Sequence, residues 1–322
     1  MPQNVLGQTM TKNERNAQLD AAVKEVLANK QILARILKTC VSEYKDCDVK
    51  DIEEKYIEGV PSIGSVPVHR TDAAPNIQGL NTEDKTTSEG TQFFDIRFSA
   101  VLPDSDEKIG LIINIEAQNR YKPGYSLVRR GIYYCGRLLS MQYGPIFTEP
   151  DYDKIKKVYS IWICTNAPDP DADTITQYII HEDCIKGESR AEPNDYDLLN
   201  VVFVKFNKKQ NADGLNGLLK ILLSNDLTGR EKEEILEKEY SLAFNAELER
   251  SVDHMCNISE GVLEEGIQRG IERGIERGIE RGRFEMIRNM SVEGNLPIEV
   301  IAKIAKTTVD EVKKILSEMK PE

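Results

Sequence analysis

Two segments near the middle of the chain alternate apolar and polar residues with a period of two, and this alternation restricts the fold more than any other feature. Over residues 91–101, Phe94, Ile96, Phe98 and Ala100 fall on one face, while Phe93, Asp95, Arg97 and Ser99 fall on the other. Over residues 111–118, Leu111, Ile113, Ile115 and Ala117 share a face opposite Ile112, Asn114, Glu116 and Gln118. Both segments are predicted strands. The polar stretch 103–108, with its Asp-Ser-Asp, suits a hairpin connection between them. Antiparallel pairing would bring Asp95 near Glu116, with Gln118 roughly 6.6–6.8 Å further along the same face. Two carboxylates and an amide at the end of an apolar strand make a candidate divalent-cation site. Such hard oxygen ligands suit Mg²⁺ or Mn²⁺ better than zinc. A plainer reading stands beside it: strand-end carboxylates are usually solvated, and Asp95-Ile-Arg97 could take part in a cross-strand ion pair.

A chain of 322 residues can bury one sizeable core with an appendage, or two domains. Its net charge of −12 argues against coating nucleic acid through bulk charge, yet leaves room for a local basic groove. No run of eighteen apolar residues occurs, so no membrane partner is expected. Residues 1–13 are polar, lack the apolar core of a secretory signal and are expected to be disordered. The six cysteines form no C-x-x-C pair, and His69, His181 and His254 lack ligand spacing. Zinc is therefore not expected, and reduced thiols in a cytoplasmic protein are.

Along the chain, residues 14–44 are predicted as one helix, with an apolar stripe through Leu19, Val23, Val26, Leu27, Ile32, Ile36, Leu37 and Cys40. Prolines and glycines over 46–90 predict irregular structure, with one short strand near 65–68. A helix over 125–143 and strands over 158–164, 175–181 and 201–206 follow. This order predicts a mixed α/β core with helices on its faces, spanning 14–225, and an all-helical C-terminal extension. Residues 215–223 form a helix, and Thr228 with Glu231 opens a long charged helix to about Asn257.

Residues 226–282 are expected to form a helical stalk, because they contain Gly266-Ile-Gln-Arg followed by three copies of Gly-Ile-Glu-Arg. Each helical glycine costs roughly 0.8–1 kcal/mol relative to alanine. A glycine stripe lets two helices approach closely, pointing to a coiled-coil-like homo-oligomer; low-complexity drift giving a semi-flexible spacer is the alternative. Residues 283–322 are predicted as three short helices: 286–292, a second opened by Pro297, and a third capped by Thr308. Their spacing fits a helix-turn-helix, although Asp310 and Glu311 begin the last helix where phosphates would lie. An ordinary helical cap or dimer element is the plainer reading.

In this acidic chain, residues 117–144 contain Arg120, Lys122, Arg129, Arg130 and Arg137 and no acid, with Tyr121, Tyr125, Tyr133 and Tyr134 interleaved. A phosphodiester substrate needs such cations beside a metal that neutralises developing charge; a solvated basic helix face is the simpler account. Asp95, then Ile113-Asn114-Ile115-Glu116-Ala117-Gln118, then Arg130 with Tyr133-Tyr134, and the strand Lys157-Val-Tyr-Ser-Ile-Trp-Ile, resemble the recombination-promoting nuclease, or transposase-related, family of PD-(D/E)XK proteins. The resemblance covers roughly residues 15–210, and that family commonly carries similar glycine repeats and terminal helices.

The resemblance implies a restriction-endonuclease-like central sheet and a Mg²⁺- or Mn²⁺-dependent DNA endonuclease in a bacterial cytoplasm, associated with recombination or transposition. Asp95 and Glu116 would hold metal, with the backbone carbonyl of Ala117 and, from the preceding helical region, Glu43 as further ligands. Gln118 would stand where the superfamily more often has lysine, and Phe94 where the motif has proline. Glutamine can orient a water through its amide but carries no charge; it is common at this position in the family. Arg120, Lys122, Arg129, Arg130, Tyr134 and Arg137 would contact DNA. Two rivals remain open: a catalytically silent nuclease fold acting as a DNA-binding or oligomerisation module, and an interaction protein with no DNA role.

Overall fold

A computed structural model describes residues 12–57, 59, 61–63, 83–86, 90–93, 95–103, 111–118, 123–188, 190–209, 212–292 and 294–317. The elements are α1 (Lys12–Ala28), α2 (Lys30–Cys40), α3 (Val49–Asp51), β1 (Ser62–Ile63), β2 (Glu83–Thr86), β3 (Gly90–Phe93), β4 (Ile96–Ala100) and β5 (Leu111–Gln118). After them come α4 (Leu127–Ser140), β6 (Lys157–Cys164), β7 (Thr174–Ile179), α5 (Pro193–Tyr196), β8 (Leu199–Lys205) and α6 (Gly214–Leu222). The last four are α7 (Gly229–Tyr240), α8 (Ala246–Val292), α9 (Ile298–Ile304) and α10 (Val309–Ser317). The strand expected near 65–68, the hairpin connection and the N-terminal residues through 11 lie outside the described residues.

Six strands form one mixed sheet in the order β1-β4-β5-β6-β8-β7. The β4–β5 hairpin is antiparallel, with Ile96 opposite Ile115 and Ala100 opposite Leu111. Parallel pairs β5–β6 and β6–β8 make the centre of the sheet. Central parallel strands are covered on both faces and therefore carry apolar residues on both. Along β6, Tyr159, Ile161 and Ile163 join a core built with α1, α2 and α6, while Val158, Trp162 and Cys164 pack with α4. The chain is thus mixed α/β, with its sheet flanked by helices. The supposed polar face of β4 is not solvated: Arg97 and Ser99 are both buried. The end of α4 covers them, and Arg97 Nη1 donates to Met141 Sδ at 3.7 Å.

Two predicted helices are interrupted, each for a local reason. The helix expected over 14–44 breaks at Asn29, which adopts an extended conformation and accepts a hydrogen bond from Gln31 N–H at 3.0 Å. Asparagine favours this N-cap geometry over a helix interior. The helix expected from Thr228 to about Asn257 opens with its capping box but stops at Tyr240. Ser241 is left-handed, and Asn245 Oδ1 caps the restart by accepting from Leu248 N–H at 2.8 Å. The break turns Leu242 inward, and Leu236, Leu242, Leu248, Val252 and Met255 all belong to the main core. The first compact unit therefore runs to Ser259, well past the expected boundary at 225.

The second unit starts at Glu260. The Gly-Ile-Glu-Arg segment is helical throughout as part of α8, and Ile267, Ile271, Ile275 and Ile279 are exposed. A Cβ added at Gly270, Gly274, Gly278 or Gly282 would touch nothing within 4 Å, so no contact among the described residues requires these glycines. The helix expected over 286–292 is the end of α8. Its Ile287 packs with Ile301, Ala302, Ala305 and Val312 of the two terminal helices and their turn. Thr308 caps α10 through Glu311 N–H at 3.2 Å, as its sequence predicts.

Gly131 sets how closely α4 lies on the sheet. A Cβ there would come within 2.5 Å of Val201 Cγ1 and 3.1 Å of Trp162 Nε1. Gly131→Val is expected to destabilise the first unit by about 1–3 kcal/mol through overpacking, read from urea denaturation. Unchanged stability would mean that α4 does not pack this tightly.

Candidate functional site

The β4–β5 register carries residue 95 to a position opposite Glu116. Asp95 lies in the bend just before β4, so the ladder alone does not fix its side chain. The Ala117 N–H and the Lys24 ammonium hold the Asp95 carboxylate, and the Asp95 backbone in turn holds Glu116. The backbone N–H of Asp95 donates to Glu116 Oε1 at 3.2 Å, and the N–H of Ala117 donates to Asp95 Oδ2 at 2.9 Å. The other Asp95 oxygen, Oδ1, meets Lys24 Nζ of α1 at 2.8 Å, and that ammonium also contacts Asp20 at 2.7 Å. Glu116 and Lys24 are 4% and 6% exposed, so these charges sit inside the protein. Burial raises the Asp95 pKa despite Lys24 and the Ala117 N–H. Burial alone would lower that of Lys24, but Asp95 and Asp20 together raise it.

On the other face of the sheet, Glu116 is in register with Trp162, which packs under α4. Arg130 lies above it, with its guanidinium 5.3 Å from the Trp162 ring centroid. Its Nη1 donates to Tyr125 Oη at 2.8 Å and its Nη2 to Tyr134 Oη at 2.6 Å. The Tyr134 pKa is raised by burial and then by the charge of Glu116. Asp95, Glu116, Arg130 and Tyr134 are therefore grouped as expected, and Arg129 is exposed beside them. Arg137 is not part of the exposed set. It is 8% exposed on the inner side of α4, because its helical position faces the sheet. Gln118 closes β5 opposite Cys164. Arg120 and Lys122 lie outside the described residues.

Glu43 stands apart from this group. Its Oε1 meets Lys157 Nζ at 2.9 Å, and its Oε2 accepts from Tyr159 Oη at 2.7 Å. Lys157 also contacts Asp197 at 2.5 Å. Lys157 and Tyr159 are opposite Leu111 and Ile113, three to five residues before Glu116, or roughly 10–17 Å along a strand. Tyr159 also faces the α1–α2 side, opposite to Trp162 and Glu116. The expectation that Glu43 is a ligand is corrected accordingly: it is a structural acid at the far end of the sheet. Burial would raise its pKa, but the bonds from Lys157 and Tyr159 lower it overall.

Among the described residues, no three His, Cys, Asp or Glu side chains are grouped closely enough to hold a metal. Asp95 and Glu116 still offer a fitting pair of hard oxygen donors, with Lys24 occupying one Asp95 oxygen. A cavity of about 400 Å³, lined by Ala117 but by neither Asp95 nor Glu116, opens between α1, α6 and the ends of β5 and β6. Asp20, Ala117, Ile163, Asn166, Lys208 and Lys220 are among its lining residues. The carboxyl ends of parallel strands are the usual ligand position in open α/β sheets.

No family model, curated protein or solved structure matches the chain. Lys24 is the member of this group that sequence reasoning missed. Its signal was present: it lies within the apolar stripe of Val23, Val26 and Leu27, four residues after Asp20. A lysine on a buried helix face requires a partner.

The placement of Glu43 gives a test. Glu43→Gln is expected to leave Mn²⁺ affinity within about twofold while costing about 1–3 kcal/mol at pH 7 through its lost charged hydrogen bonds. Because the Glu43 pKa is lowered on folding, its contribution is present above the ordinary value of 4.5 and is lost as pH falls through the folded value. The variant should lack that part of the wild-type acid sensitivity. A large loss of Mn²⁺ affinity would return Glu43 to the ligand set.

Proposed function

We propose that this chain is a Mg²⁺-dependent DNA endonuclease, also served by Mn²⁺, built on a restriction-endonuclease-like PD-(D/E)XK core. The observation that carries this reading is the pairing of Asp95 with Glu116 and Ala117 N–H at the end of β5. Asp95, Glu116 and the carbonyl of Ala117 would hold the ion. Its chemistry there is Lewis-acid stabilisation of charge on the scissile phosphate. Gln118 would orient the attacking water through its amide. Arg129 and Arg130 would hold the DNA backbone, joined by Arg120 and Lys122. The tyrosines fix Arg130 from either side: Tyr125 and Tyr134 both accept from its guanidinium. Such a fixed cation suits phosphate contact.

A nuclease of this kind would act in DNA recombination or transposition. The exposed isoleucines of α8 support assembly as a homo-oligomer through the C-terminal helices. The second reading is a silent nuclease fold that binds DNA without cutting. It is favoured by Gln118 and by the internal satisfaction of both Asp95 oxygens.

A supercoiled-plasmid nicking assay separates the two. Wild-type protein should nick in Mg²⁺, and Asp95→Ala and Glu116→Ala should each lose at least about a hundredfold in rate. Equal nicking by the variants would remove these residues from catalysis. Salt-sensitive DNA binding with no metal-dependent cleavage would identify the silent fold.

A further inference from the structure

We propose that Lys24 supplies the positive charge that Gln118 cannot, its ammonium leaving Asp95 to hydrogen-bond a non-bridging oxygen of the scissile phosphodiester. This inference rests on the nuclease reading above. Charge accumulates on a phosphate as its bond to the leaving oxygen breaks, and a neutral amide answers it weakly. Lys24 and Arg130, the cations on the two sides of this group, differ in their partners. Arg130 is fixed by two phenols and lies over Trp162. Lys24 ends in a compact ammonium on a flexible stem, and its contact is with Asp95 itself.

The surroundings of Lys24 argue for a role beyond packing. Its neighbours on the inner face of α1, Ala22, Val26 and Leu27, are apolar and fully buried. Burying an ion pair among them is often no better for stability than an apolar residue. Here the helix spends two carboxylates on holding one ammonium: Asp20 from its own preceding turn and Asp95 from the sheet. Asp20 also lines the cavity at the carboxyl ends of β5 and β6. The ammonium is therefore one contact from the carboxylate clasp and one contact from an open space where a phosphate could enter. Asp20 keeps it in place when Asp95 is exchanged for that phosphate.

The test compares wild-type protein with Lys24→Met, Lys24→Gln and Lys24→Arg. Single-turnover plasmid nicking is measured at saturating Mg²⁺ and DNA, Mn²⁺ affinity by calorimetry without DNA, and folding by thermal melting. Lys24→Met is expected to nick at least about a hundredfold more slowly, with DNA affinity within about threefold. It should bind Mn²⁺ roughly tenfold more tightly, because no ammonium competes for Asp95 Oδ1. Lys24→Arg should recover at least about tenfold of the lost rate. Lys24→Gln keeps a hydrogen bond to Asp95 without the charge and carries the same expectation if the methionine variant does not fold. A folded neutral variant that nicks within threefold of wild type, or whose Mn²⁺ affinity is unchanged, overturns the role of Lys24 and leaves the nuclease reading intact. Wild-type protein that nicks nothing in Mg²⁺ or Mn²⁺ overturns both.

Discussion

Two backbone-to-carboxylate hydrogen bonds between Asp95 and the Glu116–Ala117 segment fix where charge can gather in this protein. Asp95 precedes β4 and has no ladder partner of its own; the Ala117 N–H and Lys24 hold its carboxylate, and its backbone N–H holds that of Glu116. Hydrogen bonds to charged groups contribute about 1.5–3 kcal/mol each, enough to hold a half-buried carboxylate in place. They also join the two faces of the sheet. Glu116 belongs to the α4 side, while Ala117 packs toward α1, and the Asp95 carboxylate reaches the α1 side through Lys24. The register of one hairpin thus places an acid within reach of both covering helices.

The same pairing of lysine and carboxylate occurs at both ends of the sheet, with different consequences. At the start of β6, Lys157 is shared by Glu43 and Asp197, and Tyr159 donates to the remaining Glu43 oxygen. Every charged atom there is committed to tying the helical region after α2 to the sheet. At the end of β5, Lys24 is shared by Asp20 and Asp95 beside a cavity at the strand ends. The parallel strands β5, β6 and β8 bring their carboxyl ends to that cavity.

Much of the arrangement was legible in the sequence because it depends on periodicity and local chemistry. Alternation over 111–118 marks β5 and that over 91–101 marks β4, although the one strand expected there is two, β3 pairing with β2 and β4 with β5, and Asp95 lies in the bend before β4. The β-branched run of β6, the N-cap of α7 and the cap of α10 are equally local. What escaped depends on contacts distant in sequence. Glu43 could not be excluded as a ligand without the register of β6 against β5. Arg137 looked like part of a basic surface until the packing of α4 turned it inward. Lys24, some seventy residues before Asp95, gave a signal that an alternation-based reading ignores: a cation within an apolar stripe. The breaks at Asn29 and Ser241 were hidden because helical periodicity continues across them, and tertiary burial of Leu242 decides the second.

Under the proposed function, Asp95 and Glu116 would hold one divalent ion at the end of β5. Anomalous diffraction from crystals soaked in Mn²⁺ measures this directly. A single strong peak beside both carboxylates, with Lys24 displaced from Asp95 Oδ1, is the expected result. Density for Lys24 still bonded to Asp95, with no peak between the carboxylates at saturating Mn²⁺, would contradict it.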